Sequence, residues 1–256
     1  MTPKTKKLLW SMAAIVFWIA VWEVLSRDVG IELILPSPVS TLKKLIGLFG
    51  TRDFYVSTGL SLLRIFGGTL AAVIAGTFFG ILSEKFTVIG HLLAPAVTVI
   101  RATPVVSFII IAFLWLGNGL LPAFISFLMV FPIIYTAVRT GIEHTPAELL
   151  EMAEVFRLSP LTKIKRIYLP AVYPFFISSV NSSFGLAWKA GVAAEVLVCT
   201  QKSIGLALYN SKTYLDTTEL FAWTAVIVIL SLIIEKGFAA LTSKTVKKPE
   251  EQNDNT

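Results

Sequence analysis

Apolar runs, and the charges that interrupt them, set out the elements of this chain. Leu8 to Trp22 is uncharged and extends past Glu23 to about Ser26, Ile65 to Ser83 is a second run, and Ala102 to Val138 is a third of 37 residues. The third is too long for one helix across a bilayer, whose core of about 30 Å needs roughly 20 apolar residues. Near its middle lies LGNGLLP, Leu116 to Pro122, the Gly, Asn and Pro punctuation of a tight turn. The pattern therefore predicts a helical hairpin there. Ile167 to Trp188 opens a fifth span, and Thr218 to about Ala240 gives a sixth. Phe86 to Ile100 is apolar but only 15 residues long, which predicts an interfacial or buried lead-in rather than a separate crossing. Pro36 to Gly50 has helical spacing at Leu42, Leu45, Ile46 and Phe49, with Ser40 or Thr41 as candidate N-caps.

Between the fourth and fifth spans the pattern changes abruptly. From Glu143 to Arg166 stand eight charged side chains, in a chain of which 55 % is hydrophobic and 15 % charged. Such a segment cannot lie in lipid. Pro146-Ala147-Glu148 starts a helix with acids in its first turns, as the helix dipole prefers, and Glu148, Glu151 and Glu154 fall one turn apart. Leu149, Leu150, Met152, Ala153, Val155 and Phe156 surround them with apolar surface, and Ser159-Pro160 has the chemistry to cap a second helix. Two short helices joined by a bend predict a protrusion able to press into a groove of a water-soluble partner. The bland alternative is a solvated loop.

Composition agrees with the pattern. A mean hydropathy of +0.77 is far from that of soluble domains, where about a quarter of residues are charged, so the reading is one integral membrane domain over 8–240. Residues 1–7 form a cytoplasmic N-terminus and 241–256 a disordered tail. The net charge of +6 reads as topology rather than nucleic-acid binding. With the N-terminus inside, 14 basic residues fall on the cytoplasmic side and seven outside, which predicts both termini in the cytoplasm. Lys4, Lys6 and Lys7 ahead of an apolar run imitate a signal peptide, but the run ends in WEVLSRD without a small-x-small cleavage pattern, which favours an uncleaved first span. One cysteine, Cys199, and two distant histidines, His91 and His144, exclude a disulfide framework or a zinc site of ordinary spacing within one chain. No Gly-Lys dipeptide occurs, so this chain carries no phosphate-binding loop of its own.

Within the fifth span, Ser178, Ser182, Gly185 and Lys189 form one stripe at 100° per residue, and Asn181, Trp188 and Glu195 another. A lysine near a helix centre costs about 2.5 to 3.5 kcal/mol on insertion scales. Lys189 and Glu195 are therefore expected to face the bundle interior, a passage or a paired charge. They are six residues apart, the wrong angular step for a direct pair, so each is expected to find its partner elsewhere. The functional reading makes Ser178, Ser182, Trp188, Lys189 and Glu195 the lining of a translocation path; its competitor is a structural ion pair or dimer contact. Gly67, Gly68, Gly76 and Gly80 in the second span read as packing. Arg101 reads as a helix-end or boundary charge.

Glu151-Met152-Ala153, followed by Ile167, Leu169 and Pro170, resembles the EAA loop of ABC-type importer permeases, E-A-A-x3-G-x9-I-x-L-P, with every spacing matched. Arg157 stands where that pattern has glycine; if the bend needs positive φ, it costs about 1 to 2 kcal/mol. LPSP at 35–38, SLLRIFGGTLAAVIAG at 61–76, Arg101 with Pro104, and AWKAGVAAEVL at 187–197 are similar to patterns of the nitrate/sulfonate/taurine group. The likeness covers about 33–240. It implies an all-α membrane protein of about six transmembrane helices, a type I importer permease, in the inner membrane of a prokaryote. It implies that the loop 143–167 docks on a cytoplasmic ATPase dimer through Glu148, Glu151, Met152, Ala153, Phe156, Arg157, Ile167, Leu169 and Pro170. It further implies a second permease copy, an extracytoplasmic binding protein delivering a small, possibly anionic solute, and ATP and Mg bound by the ATPase rather than by this chain. The rival is a stand-alone secondary transporter or channel; inverted repeats or paired broken helices would mark it, and neither is visible. An intramembrane serine protease is disfavoured because neither histidine falls within a predicted span.

Overall fold

The computed structural model describes residues 3–246, and the described residues form helices without strands. In chain order these are α1 (Pro3–Val29), α2 (Pro38–Leu48), α3 (Arg52–Lys85), α4 (Thr87–Ala102), α5 (Val105–Glu143), α6 (Ala147–Val155), α7 (Pro160–Lys163), α8 (Leu169–Val198), α9 (Ile204–Thr213) and α10 (Thr217–Val246). A π-helical turn, Ile164–Tyr168, joins α7 to α8. The expectation for 247–256 lies outside the described residues. Residues 241–246, expected in a tail, instead continue α10.

Local chemistry accounts for the boundaries. The cap of α2 is Ser37, not Ser40 or Thr41: its hydroxyl accepts from the Ser40 N–H at 3.1 Å, and Pro38 takes the first helical position. Thr51 caps α3 in the same way, accepting from Phe54 N–H at 3.3 Å. Helix α3 thus begins 13 residues before the uncharged run at Ile65, because charge marks where lipid can begin and not where a helix must.

Helix α5 is two helices. Gly117 has φ 64° and ψ −176°, a region open essentially to glycine alone, and the chain doubles back on itself there. The evidence is Arg101, whose guanidinium donates to Pro132 O at 3.0 Å and to Thr136 Oγ1 at 2.7 Å, residues on the far side of Gly117 from it. The expected hairpin is present, centred on LGNGLLP. Arg101 stitches α4 to the returning limb, 118–143.

Three long helices make the core. Gly68 lies against the backbone of Ala123, Gly76 against Ile134, and Gly80 against Val138, so α3 and the returning limb of α5 run parallel. Helix α8 packs antiparallel to both: Ser126 Oγ donates to Ala187 O at 3.3 Å, and Ser61 meets Glu195. Ile65, Val130, Ile134, Trp188 and Trp223 are buried where these helices and α10 converge. Arg52–Lys85, Val105–Glu143 and Thr217–Ala240 are the three helices among the described residues long and apolar enough to cross a membrane. Helix α8 has 30 residues but falls outside that set. Its composition follows from its position: Ser183, Gly185, Ala187, Gly191 and Ala194 are buried among other helices, where small and polar residues suit close packing.

Helix α4 lies against α3 and the returning limb of α5. It starts beside Lys85, at the height where Arg139 pairs with Glu84 at 2.5 Å, and ends at Arg101 against Pro132 and Thr136. Helix α1 meets the rest mainly near its end: Trp22 Nε1 donates to Pro36 O at 3.0 Å and its ring lies against Phe221.

Candidate functional site

At one end of the bundle, beyond Glu143, the chain leaves the packed helices as α6, α7 and the π-helical turn. Helix α6 stops at Phe156 and the chain turns at Arg157, with φ 48°. Leu158 N–H bonds Ala153 O and Arg157 N–H bonds Glu154 O, both at 2.9 Å. This is a Schellman ending with arginine in the left-handed position usually held by glycine. The strain expected from the sequence is present and tolerated. Ser159 caps α7, accepting from Thr162 N–H at 3.3 Å, as its Ser-Pro pair predicts.

The residues sort into two sets. Ala153 and Ile167 are buried. Glu148, Glu151, Met152, Phe156, Arg157, Leu169 and Pro170 are exposed, and Phe156 retains 71 % of its surface. Glu148, Glu151 and Glu154 make no ion pair among the described residues. Charges free of partners beside exposed Met152, Val155 and Phe156 form a surface complementary to a basic and apolar groove. Behind it, an apolar cavity of about 550 Å³ lies among α3, α5, the π-helical turn and α8, bordered by Ile81, Ile142, Ile164, Tyr168 and Phe176.

The two stripes of α8 part company. Ser178, Ser182 and Lys189 are exposed on one face. Lys189 Nζ lies 3.6 Å from Glu235 Oε1 of α10, which also accepts from Ser231 Oγ at 3.3 Å. Trp188 and Glu195, expected along a pathway, are fully buried on the other face and present no surface to a passage in this conformation. Trp188 donates its indole N–H to Ile227 O at 3.1 Å. Glu195 accepts from Ser61 Oγ at 2.7 Å and Gly205 N–H at 3.3 Å, and Arg64 stands 3.9 Å away. Arg64 also holds the carbonyls of Gln201 and Lys202, so this network ties α3 and α8 to the start of α9. Each charge of α8 thus has its partner on another helix, as expected. Glu235, Ser61 and Arg64 were missed in the sequence; an acid deep inside the last apolar run was the available signal for Glu235.

The opposite end carries a cleft of about 960 Å³ between α2, the start of α3 and α9, bordered by Lys43, Lys44, Arg52, Lys202, Asn210 and Trp223. Lys44 bonds Asp216 at 2.7 Å and Glu219 at 3.0 Å. The Asp216 carboxylate, then Glu219, holds the Lys44 ammonium above its ordinary pKa, and Lys44 holds Asp216 below the usual carboxylate value.

Comparison with known proteins agrees with this arrangement. Residues 56–245 match the family model described as binding-protein-dependent transport system inner membrane component. The chain is 24 % identical to the taurine transport system permease protein of Escherichia coli over 93 % of its own length and 89 % of that protein. It is 27 % identical to the nitrate import permease protein of Synechocystis, over 96 % and 91 %. Among solved structures, the fold matches a chain of a bacterial alginate ABC transporter in complex with alginate pentasaccharide-bound periplasmic protein, with TM-score 0.62, 15 % identity and coverage of 95 % and 98 %. An amino acid ABC transporter chain matches with TM-score 0.61 and 15 % identity over 79 % of this chain and 96 % of that one. The all-helical bundle, its protruding α6–α7 segment and these likenesses lead to one assignment: the chain belongs to the family of binding-protein-dependent transport inner membrane components, the permeases of ABC importers.

Proposed function

We propose that this permease works as one of two copies around a solute pathway in a prokaryotic cytoplasmic membrane, driven by a separate ATPase dimer that docks on α6, α7 and the π-helical turn. In this reading six spans cross the membrane, with both termini and the α6–α7 segment in the cytoplasm. An extracytoplasmic binding protein delivers the solute at the end bearing α2 and α9. The solute is small and carries an anionic group, by analogy with the named taurine and nitrate permeases. Lys189 alone is a weak argument for an anion, because Glu235 shares its charge.

The observation that carries the proposal is the protruding segment, with Glu148, Glu151 and Glu154 unpaired beside exposed Met152 and Phe156, on a backbone fixed by the Schellman ending at Arg157. Such a rigid knob transmits a push from an ATPase subunit through α7 into α8, as packed helices do when domains move as bodies. The test is Glu151→Lys in the assembled importer. Reversing one charge at a charged contact costs several-fold or more in coupling, so solute-stimulated ATP hydrolysis falls while membrane insertion is retained. Normal stimulation in that variant, or transport in liposomes by this chain alone, rejects the docking role.

A further inference from the structure

Lys189 and Glu235 lie within two turns of the midpoints of α8 and α10, at depths where a charge facing lipid is strongly disfavoured. Yet their side chains are 67 % and 43 % exposed. The pair is also loose. Its 3.6 Å separation contrasts with 2.5 Å for Arg139–Glu84 and 2.7 Å for Lys44–Asp216, which join helices at the two ends of the bundle. A space is built for it, because a Cβ on Gly185 would collide with the Glu235 carboxylate. Ser182 and Ser178 continue the same exposed face about two and three turns back along α8 from Lys189.

We propose that Lys189 and Glu235 form a dipolar selectivity site in the pathway, favouring solutes that carry an ammonium and an anionic group together over simple monoanions. This rests on the permease reading above and narrows its solute class. A lone lysine would attract any anion. With Glu235 beside it, a monoanion gains at Lys189 what it loses by repulsion from the carboxylate, whereas an amino-sulfonate places one charge against each. The loose pair opens to admit such a solute and exchanges one ion pair for two.

The experiment uses the chain assembled with its ATPase in lipid nanodiscs, with Cys199→Ser removing the native thiol and Ser182→Cys introducing a reporter. A charged, water-soluble thiol reagent labels Cys at 182, and taurine or ethanesulfonate is added as protectant. Taurine is expected to protect at concentrations about tenfold lower than ethanesulfonate, the equivalent of one weak ion pair. Glu235→Gln brings the two within about threefold, and Glu235→Asp, the fallback should that variant fail to assemble, keeps the preference. Equal protection in the parent, protection by neither, an unchanged preference in Glu235→Gln, or a reporter that the reagent cannot reach because a second copy covers it, each overturns the inference. Failure of the chain to assemble with the ATPase would instead count against the permease reading itself.

Discussion

At the scale of single residues, charges in this chain are placed by their partners. Lys44 and Asp216 join α2 to the start of α10, and their shifted pKa values define when the contact contributes. Asp216 is depressed in the fold, so its contribution is present above the ordinary carboxylate pKa of 3.8 and is lost as pH falls through the lower folded value. Lys44 is raised, so its contribution is complete below 10.5 and is lost as pH rises through the higher folded value. The pair therefore stabilises between about pH 4 and 10. Because both groups are more than a third exposed, the effect is below about 1 kcal/mol. Lys44→Gln should lower the thermal midpoint of the purified protein slightly at pH 7, and its difference from wild type should shrink as pH falls below about 4. Some residue-scale features were legible beforehand: the backbone strain at Arg157 follows from a glycine position filled by arginine. Glu235 was not, since nothing in a linear pattern says which of α10's residues will stand beside Lys189. Burial of Trp188 and Glu195 was missed for the same reason, because a stripe on a helix gives an angle without naming the neighbour it faces.

At the scale of elements, the hairpin in α5 was readable because its punctuation is chemical. Gly117 adopts a conformation that side chains disfavour, and open space surrounds its α-carbon. Gly117→Ala therefore meets no clash, and its cost is backbone strain alone, about 1 to 3 kcal/mol. The expected result is a lowered unfolding midpoint, with the Arg101 contacts to Pro132 and Thr136 loosened; an unchanged midpoint would mean that the reversal does not depend on glycine. Boundaries set by charge were less readable. Helix α3 runs through Arg64 and α8 through Lys189 and Glu195 because each charge is met by another helix. The anchoring of α4 was also hidden, since Arg101 bonds Pro132 and Thr136, residues 31 and 35 positions further along.

At the scale of the whole molecule, the parallel pairing of α3 with the returning limb of α5 is the central contact. It rests on a notch at Gly68, where an added Cβ would overlap the backbone oxygen of Ala123, while Gly67 faces open space. Gly68→Ala should destabilise the bundle by about 1 to 3 kcal/mol as an overpacking change, read as loss of correctly assembled protein after mild heating. Gly67→Ala should be neutral or slightly stabilising, since alanine is the better helix former by up to about 1 kcal/mol. Equal behaviour of the two variants would contradict the pairing. Fold class and the hairpin were accessible from the lengths of the apolar runs and their turn punctuation, but the choice of neighbours among long apolar helices was not, because in lipid small residues on several faces are equally able to pack.

That parallel arrangement has a consequence for biosynthesis. Two parallel neighbours cannot be joined by a short turn, so α3 reaches the translocon and waits for its mate until the intervening chain has been threaded. From Lys85 to Arg139 the ribosome adds the rest at about 5 to 20 residues per second, a delay of roughly 3 to 10 s. During that interval the Gly68 notch faces whatever membrane chaperone or lipid happens to be at hand.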